Sequence, residues 1–165
     1  MTRALLAILI AALPVAAAAT EPRPFNQGSW AQLRQAHAER PTLVHFWGLT
    51  CGPCLVELPQ WGQFALARQD IDLVMIDADP VAVAPDDVAA TLNKAGLGKV
   101  ESWQFADPFL ERLEYEIDRS WRGELPYTLL IGRDGTITSI LGATDFVDLD
   151  HWVDRQLPAT GRHHI

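Results

Sequence analysis

The stretch Thr42-Leu43-Val44-His45-Phe46-Trp47-Gly48-Leu49-Thr50-Cys51-Gly52-Pro53-Cys54 joins a β-branched and aromatic run to two cysteines three positions apart. Pro41 and Gly48 bound the run, which predicts a buried strand over Thr42–Trp47. After a short loop, a helix is expected to start at or just after Cys51 and to reach about Arg68. Residues i and i+3 occupy neighbouring turns of one helix face, so the two sulfurs can meet. Cys51 at the helix start faces unpaired backbone N–H groups and the positive end of the helix dipole. Both favour a thiolate, the nucleophilic form of cysteine. Cys54 lies one turn inside and is less exposed. Pro53 fits the first turn, where a missing N–H costs little.

This pattern fits thiol exchange. Cys51 would attack a partner's disulfide, and Cys54 would then attack Cys51 and release the reduced partner. Half of a zinc site has the same spacing, but a structural zinc site takes about four ligands. The sequence holds only these two cysteines, and His37, His45, His151, His163 and His164 show no ligand spacing. A purely structural disulfide closing so small a loop would save little chain entropy.

Working outward, the 165 residues suit one domain with one sizeable core. Hydrophobic residues make up 48% and charged residues 21%, which excludes a disordered chain. The formal net charge of −8, with no Lys/Arg block, argues against a nucleic-acid partner. Residues 1–19 read as a secretory signal: Arg3 near the start, an apolar run from Ala4 to Leu13, and the small-residue site Ala17-Ala18-Ala19. The run is shorter than the roughly 20 apolar residues that span a bilayer. A single domain over residues 20–165 would then work in an oxidising compartment. An uncleaved membrane-anchoring helix is the competing reading of the same segment.

Further along, residues 20–28 read as a leader. Ser29 with Gln32 forms a capping-box signature before a helix over about Trp30–Ala38. Ile71–Asp77 reads as a second buried strand, parallel to the first across the intervening helix. A helix is expected over Asp86–Ala95 and a short strand over Ser102–Phe105. Asp107-Pro108 reads as an N-cap and first helical position for a helix ending near Tyr115–Asp118. Tyr127–Gly132 and Thr136–Leu141 flank Arg133-Asp134-Gly135 as a hairpin. A last helix is expected over about Leu149–Leu157. Gly161–Ile165 reads as a frayed end.

The segment Leu43–Pro59, LVHFWGLTCGPCLVELP, resembles the active-site segment of TlpA-like thioredoxin-fold proteins, the group of the ResA and CcmG types. The resemblance extends over about residues 25–158. It implies an α/β thioredoxin fold, a central mixed sheet flanked by helices, with an inserted helix and strand around residues 80–105. Trp47, Cys51, Gly52, Pro53 and Cys54 match the redox motif. Pro59 matches the proline that kinks the first active-site helix. Pro126 matches the proline that is cis in the family and lies opposite the cysteines. A cis bond there would turn the Leu125 backbone outward to pair with a substrate strand; a trans loop proline is the alternative.

Two readings of Glu57 stand. It is a helical neighbour of Cys54, and the resemblance makes it a tuner of cysteine titration and a proton relay; otherwise it is a solvated helix carboxylate. His45 stands where cytoplasmic thioredoxins carry a buried Asp. It either takes a proton from Cys54 through water or is a core histidine bonded to backbone. Thr50 stands where relatives commonly carry a Trp, so a flat docking contact is missing; its hydroxyl is a candidate helix cap.

The Gly-Pro between the cysteines implies, through the resemblance, a disulfide reductase of the periplasm. Its partners would be a disulfide-bearing client and a membrane electron donor, its redox-active disulfide Cys51–Cys54 serving with no cofactor and no metal. Apocytochrome c and copper-centre assembly proteins are clients in the family. The alternative is a Cu(I)-handling module on the same two thiolates, which suit that soft ion. A peroxidase on this fold fits less well, because Thr50 lies directly beside Cys51.

Overall fold

The computed structural model describes residues 21–157. The signal predicted for residues 1–19 and the frayed end from Gly161 lie outside the described residues. Eleven elements follow in chain order: β1 (Arg23–Phe25), α1 (Ser29–Ala36), β2 (Thr42–Trp47), α2 (Gly52–Ala67), β3 (Asp72–Asp77), α3 (Pro85–Lys94), β4 (Glu101–Phe105), α4 (Leu110–Ile117), β5 (Tyr127–Ile131), β6 (Ile137–Leu141) and α5 (Phe146–Gln156). The six strands form one mixed sheet in the order β1-β4-β3-β2-β5-β6. β1, β4, β3 and β2 run parallel, β5 runs antiparallel to β2, and β6 is antiparallel to β5 and so shares the direction of β2.

Side chains alternate across a strand, and β2 uses both faces. Val44 and Phe46 join a core with Trp30 and Leu33 of α1 and Leu113 and Ile117 of α4. Leu43 and Trp47 join a second core with Leu58 and Trp61 of α2, Leu92 of α3, and Leu149 and Val153 of α5. All six β2 residues are buried, as expected for a central strand covered on both faces. α3 and β4 occupy the segment where an inserted helix and strand are expected, and β4 pairs between β1 and β3.

Four local expectations are corrected. Residues 20–28 are not a leader: Arg23–Phe25 pair with Trp103–Phe105 as an edge strand. An edge tolerates Pro24, and complete burial of Phe25 contributes about 2 kcal/mol. Three residues are too few to show a period, so the strand left no pattern. Ser29 is not an N-cap. Gly28 takes that place at φ 87°, and its N–H donates to the Glu116 carboxylate at 3.1 Å, while Ser29 Oγ accepts from the Asn26 amide. Asp107 does not cap α4, which starts at Leu110; its carboxylate accepts from the Phe109 amide and pairs with Arg112. α5 starts at Phe146, three residues early, because Asp145 accepts from the Val147 and Asp148 amides.

α2 and the end of α3 touch at Gly62, where an added Cβ would overlap the Ala95 carbonyl oxygen. Alanine gains about 1 kcal/mol over glycine in helix propensity, but overpacking costs about 1–3 kcal/mol. Because the overlap is with rigid backbone, the overpacking cost lies toward the upper end, about 2–3 kcal/mol, and Gly62→Ala is expected to lower unfolding stability by about 1–2 kcal/mol, read from the urea midpoint. An unchanged or raised midpoint would mean the two helices are not in this contact.

Candidate active site

β2 and β3 are parallel and in register from Thr42↔Asp72 to Trp47↔Asp77, so their C-terminal ends share one edge of the sheet. The chain leaves that edge through Gly48-Leu49-Thr50 and enters α2. Cys51 is the N-cap, with extended backbone, and its Sγ accepts from the Cys54 amide at 3.2 Å. The sulfur thus takes one of the amide donors that a helix start leaves unpaired. Cys51 and Cys54 form a disulfide, with Cα atoms 5.3 Å apart. Cys51 is half-buried, whereas Cys54 is fully buried against Leu58, Trp61 and Trp47. Gly52 and Pro53 occupy the first two helical positions. α2 continues through Pro59, which has no N–H to offer the Leu55 carbonyl.

The antiparallel pairing of Phe46 with Tyr127 carries Pro126 to the same sheet edge. The Leu125–Pro126 peptide is cis, and the Pro126 carbonyl accepts from Gly142 N–H at 2.8 Å. Leu125 is partly buried and packs against both cores. The structure thus gathers Trp47, Thr50, Cys51, Cys54 and Pro126 at one edge, with His45 and Glu57 beneath.

Glu57 is not a solvated carboxylate. Only 4% exposed, it accepts through Oε1 from the Thr144 amide at 2.6 Å. Burial pushes its carboxyl above the usual carboxylate range, against the opposing pull of the Thr144 bond. His45 is completely buried, and burial pushes it down to about 3, so the ring is neutral. Its Nδ1 meets Thr128 Oγ1 at 2.9 Å, a side-chain partner rather than the expected backbone one. The ring also packs 4.5 Å from the Trp61 ring, centre to centre.

Thr50 does not cap α2. Its amide and hydroxyl both donate to the Asp79 carboxylate, at 2.7 and 2.6 Å. Asp79 is buried just past β3, and its amide donates to Asp77 Oδ1 at 3.3 Å. Asp77 Oδ2 accepts from Gln104 Nε2 of β4 at 3.0 Å. Burial, with Asp79 beside it, pushes Asp77 up to about 6. Nothing local in the sequence marks Thr128 or Thr144 as part of the site, and Asp77 and Asp79 join them there. A signal existed for the two aspartates: they close an apolar strand run whose C-terminal end must lie beside that of β2.

No protein-family model matches the sequence, and no curated protein matches it as a relative. Solved structures do match. The secreted disulfide oxidoreductase of Mycobacterium tuberculosis homologous to E. coli DsbE has a TM-score of 0.59 and 20% identity, over 73% of this chain and 85% of that chain. A thiol:disulfide interchange protein of the thioredoxin family from Chlorobium tepidum has a TM-score of 0.57 and 23% identity, over 74% and 83%. StoA from Bacillus subtilis has a TM-score of 0.52 and 24% identity, over 70% and 84%. The chain has the thioredoxin fold. At these identities the likeness establishes that fold and leaves the chemistry to the site. Among the described residues, no helix is long and apolar enough to cross a membrane, and no three His, Cys, Asp or Glu side chains gather as a metal site.

In this thioredoxin fold the buried carboxyls set a pH dependence. Asp77 binds its proton more tightly folded, at about 6, than at the ordinary 3.8. Between those values the folded state holds more protons on Asp77, so its contribution to stability falls as pH rises from about 4 to about 6; Glu57 acts with the same sign. Asp77→Asn removes the Asp77 contribution and is expected to flatten part of that slope, on the order of 1–3 kcal/mol between pH 4 and 7. Urea titrations across this range read it, and identical slopes in both proteins would show that Asp77 does not titrate there.

Proposed function

We propose that this protein is a thiol–disulfide oxidoreductase that reduces disulfides in client proteins. One observation carries the reading: a disulfide across the first turn of α2, with Cys51 half-buried at the helix N-cap and Cys54 fully buried. In the dithiol form, the Cys51 thiolate attacks a client sulfur. A Cys51–client bond forms, the client disulfide breaks, and one client thiolate leaves. Cys54 then gives its proton to the Glu57 carboxylate, and its sulfur bonds to Cys51 Sγ. The Cys51–client bond breaks and the second client thiolate leaves. The client gains two electrons, and the protein closes its disulfide.

Other parts of the site support this sequence. The amide donated to Cys51 Sγ stabilises charge on the attacking sulfur. Leu125 packs in the core cluster that includes the cysteines, and Pro126 stands at the same end of the sheet, where a client strand would lie. Asp79 grips Thr50 and so fixes the residue before the nucleophile. The single domain starts after a signal cleaved near Ala19, and the work is done in the periplasm, where a membrane electron donor returns the protein to the dithiol form. The Gly-Pro dipeptide favours the reducing direction. Cytochrome c maturation and copper-centre assembly offer clients of the required kind, proteins whose cysteines must be reduced before they take a cofactor or metal.

Cys51→Ser is expected to abolish reduction of insulin disulfides, with more than a hundredfold loss of rate. Cys54→Ser is expected to accumulate a mixed disulfide through Cys51, seen as a dithiothreitol-sensitive band shift. Undiminished reduction by the Cys51→Ser protein would end the proposal.

A further inference from the structure

Beneath the cysteines, two buried polar atoms lie 4.0 Å apart with no hydrogen bond between them, His45 Nε2 and Glu57 Oε2, and the indole N–H of Trp61, also buried, is the other donor near the same carboxyl. Such orphans are uncommon in a folded interior, where nearly every buried polar atom is paired. Their opposite ends are engaged. His45 Nδ1 meets Thr128 Oγ1, Thr128 Oγ1 lies 3.4 Å from Thr144 Oγ1, and the Thr144 amide donates to Glu57 Oε1. The four residues make a ring drawn from β2, β5, the β6–α5 loop and α2, open only at the His45–Glu57 gap. A shift of about 1 Å closes that gap to hydrogen-bond length.

We propose that His45 is a positioning residue for the proton of the exchange reaction: its Nε2 accepts a hydrogen bond from the protonated Glu57 carboxyl and so holds the proton that Cys54 releases. The inference rests on the thiol-exchange reading of the site and assigns the buried histidine a part in it. In the resolving step, the Cys54 S–H bond breaks and an O–H bond forms on Glu57. The Cys54–Cys51 bond forms as the Cys51–client bond breaks, and the client thiolate leaves with its electron pair. The state described here, with the disulfide closed, is the one in which the proton sits between Glu57 and His45.

Strand alternation places His45 on the same sheet face as Leu43 and Trp47, the face that α2 covers. A neutral ring has one accepting nitrogen; with Nε2 as acceptor, Nδ1–H donates to Thr128. The surrounding elements hold few competing charges. α2 contributes Cys54 and the Trp61 indole N–H, an uncharged donor that favours the ionised carboxyl, β5 contributes Thr128, and the β6–α5 loop contributes Thr144. Asp145 is spent on capping α5, and Asp150 and Asp154 of α5 pair with Arg68. From β3, Asp77 shares the sheet face but bonds to Gln104 and the Asp79 amide.

The test is a carbon-13 titration of the Glu57 carboxyl by NMR in the oxidised protein without client. Two variants split the imidazole: His45→Asn keeps a polar group for Thr128 but loses the Nε2 position, and His45→Gln keeps an acceptor near that position. The Glu57 midpoint is expected to fall by about one pH unit in His45→Asn, a tenfold loss of proton affinity, and by less than half of that in His45→Gln. An unchanged midpoint in His45→Asn, or equal falls in both variants, overturns the proposal, because burial alone would then set the carboxyl. Should His45→Asn fail to fold, nitrogen-15 spectra of the unsubstituted protein decide: Nδ1–H with bare Nε2 supports the inference, and Nε2–H overturns it. These readouts need no client, so they fail separately from insulin reduction, whose absence would overturn the exchange reading itself.

Discussion

A helix start leaves amide donors without partners inside the helix, and in this protein a cysteine sulfur takes one of them. That interaction, Cys54 N–H to Cys51 Sγ, depends on where α2 begins. The backbone turns helical immediately after Cys51, so the sulfur at position 51 caps and the sulfur at position 54 lies a turn deeper. A start one residue earlier or later would move both sulfurs around the helix and lose the difference in exposure between them. The rest of the fold holds that start in place. Trp47 anchors the end of β2 in the core, Asp79 grips Thr50 by two hydrogen bonds, and Trp61 and Leu58 pin the buried face of α2.

The site also carries a burden. His45, Glu57 and Asp77 are ionisable side chains in the interior, and each is displaced from its ordinary proton affinity toward the neutral form. Burying such groups without full pairing is costly. The two apolar cores on either face of the sheet offset that cost, with six fully or nearly buried strand residues in β2 alone. The polar groups are concentrated below the cysteines and at the C-terminal ends of β2 and β3, whereas the opposite end of the sheet keeps its charges in exposed or half-exposed pairs such as Arg40 with Asp72. Displaced proton affinities beside a disulfide are what the proposed proton transfer from Cys54 would draw on.

Much of this was legible beforehand where a local pattern was long enough to repeat. β2 and β5 are apolar-rich runs bounded by Pro and Gly, β3 is an apolar Leu73–Ile76 stretch between aspartates, β6 follows the Gly135 turn, and α2 follows a motif whose residues each have a local reason to be there. The misses share one cause. β1 is three residues long, and its strand character comes from β4. Ser29 had the chemistry of a cap but lost the position to Gly28, whose amide is held by Glu116 from α4, a distant part of the chain. Thr50 also had a cap's chemistry, yet Asp79 claimed its hydroxyl from the neighbouring strand end. Glu57 reads as a surface residue in any helical wheel that does not know that the Thr144 loop closes over it.

The sequence alone determined the cysteine pair and which of the two stands at the start of the helix, because spacing, proline placement and helix-end electrostatics act within a few residues. It likewise determined that the strand before them is central, since a run apolar on both faces has no other home. Tertiary structure alone decided which polar side chains stand under the cysteines. His45, Glu57, Thr128 and Thr144 come from four separate elements, and only the closing of the sheet and the packing of α2 and the β6–α5 loop bring them together and strip them of water.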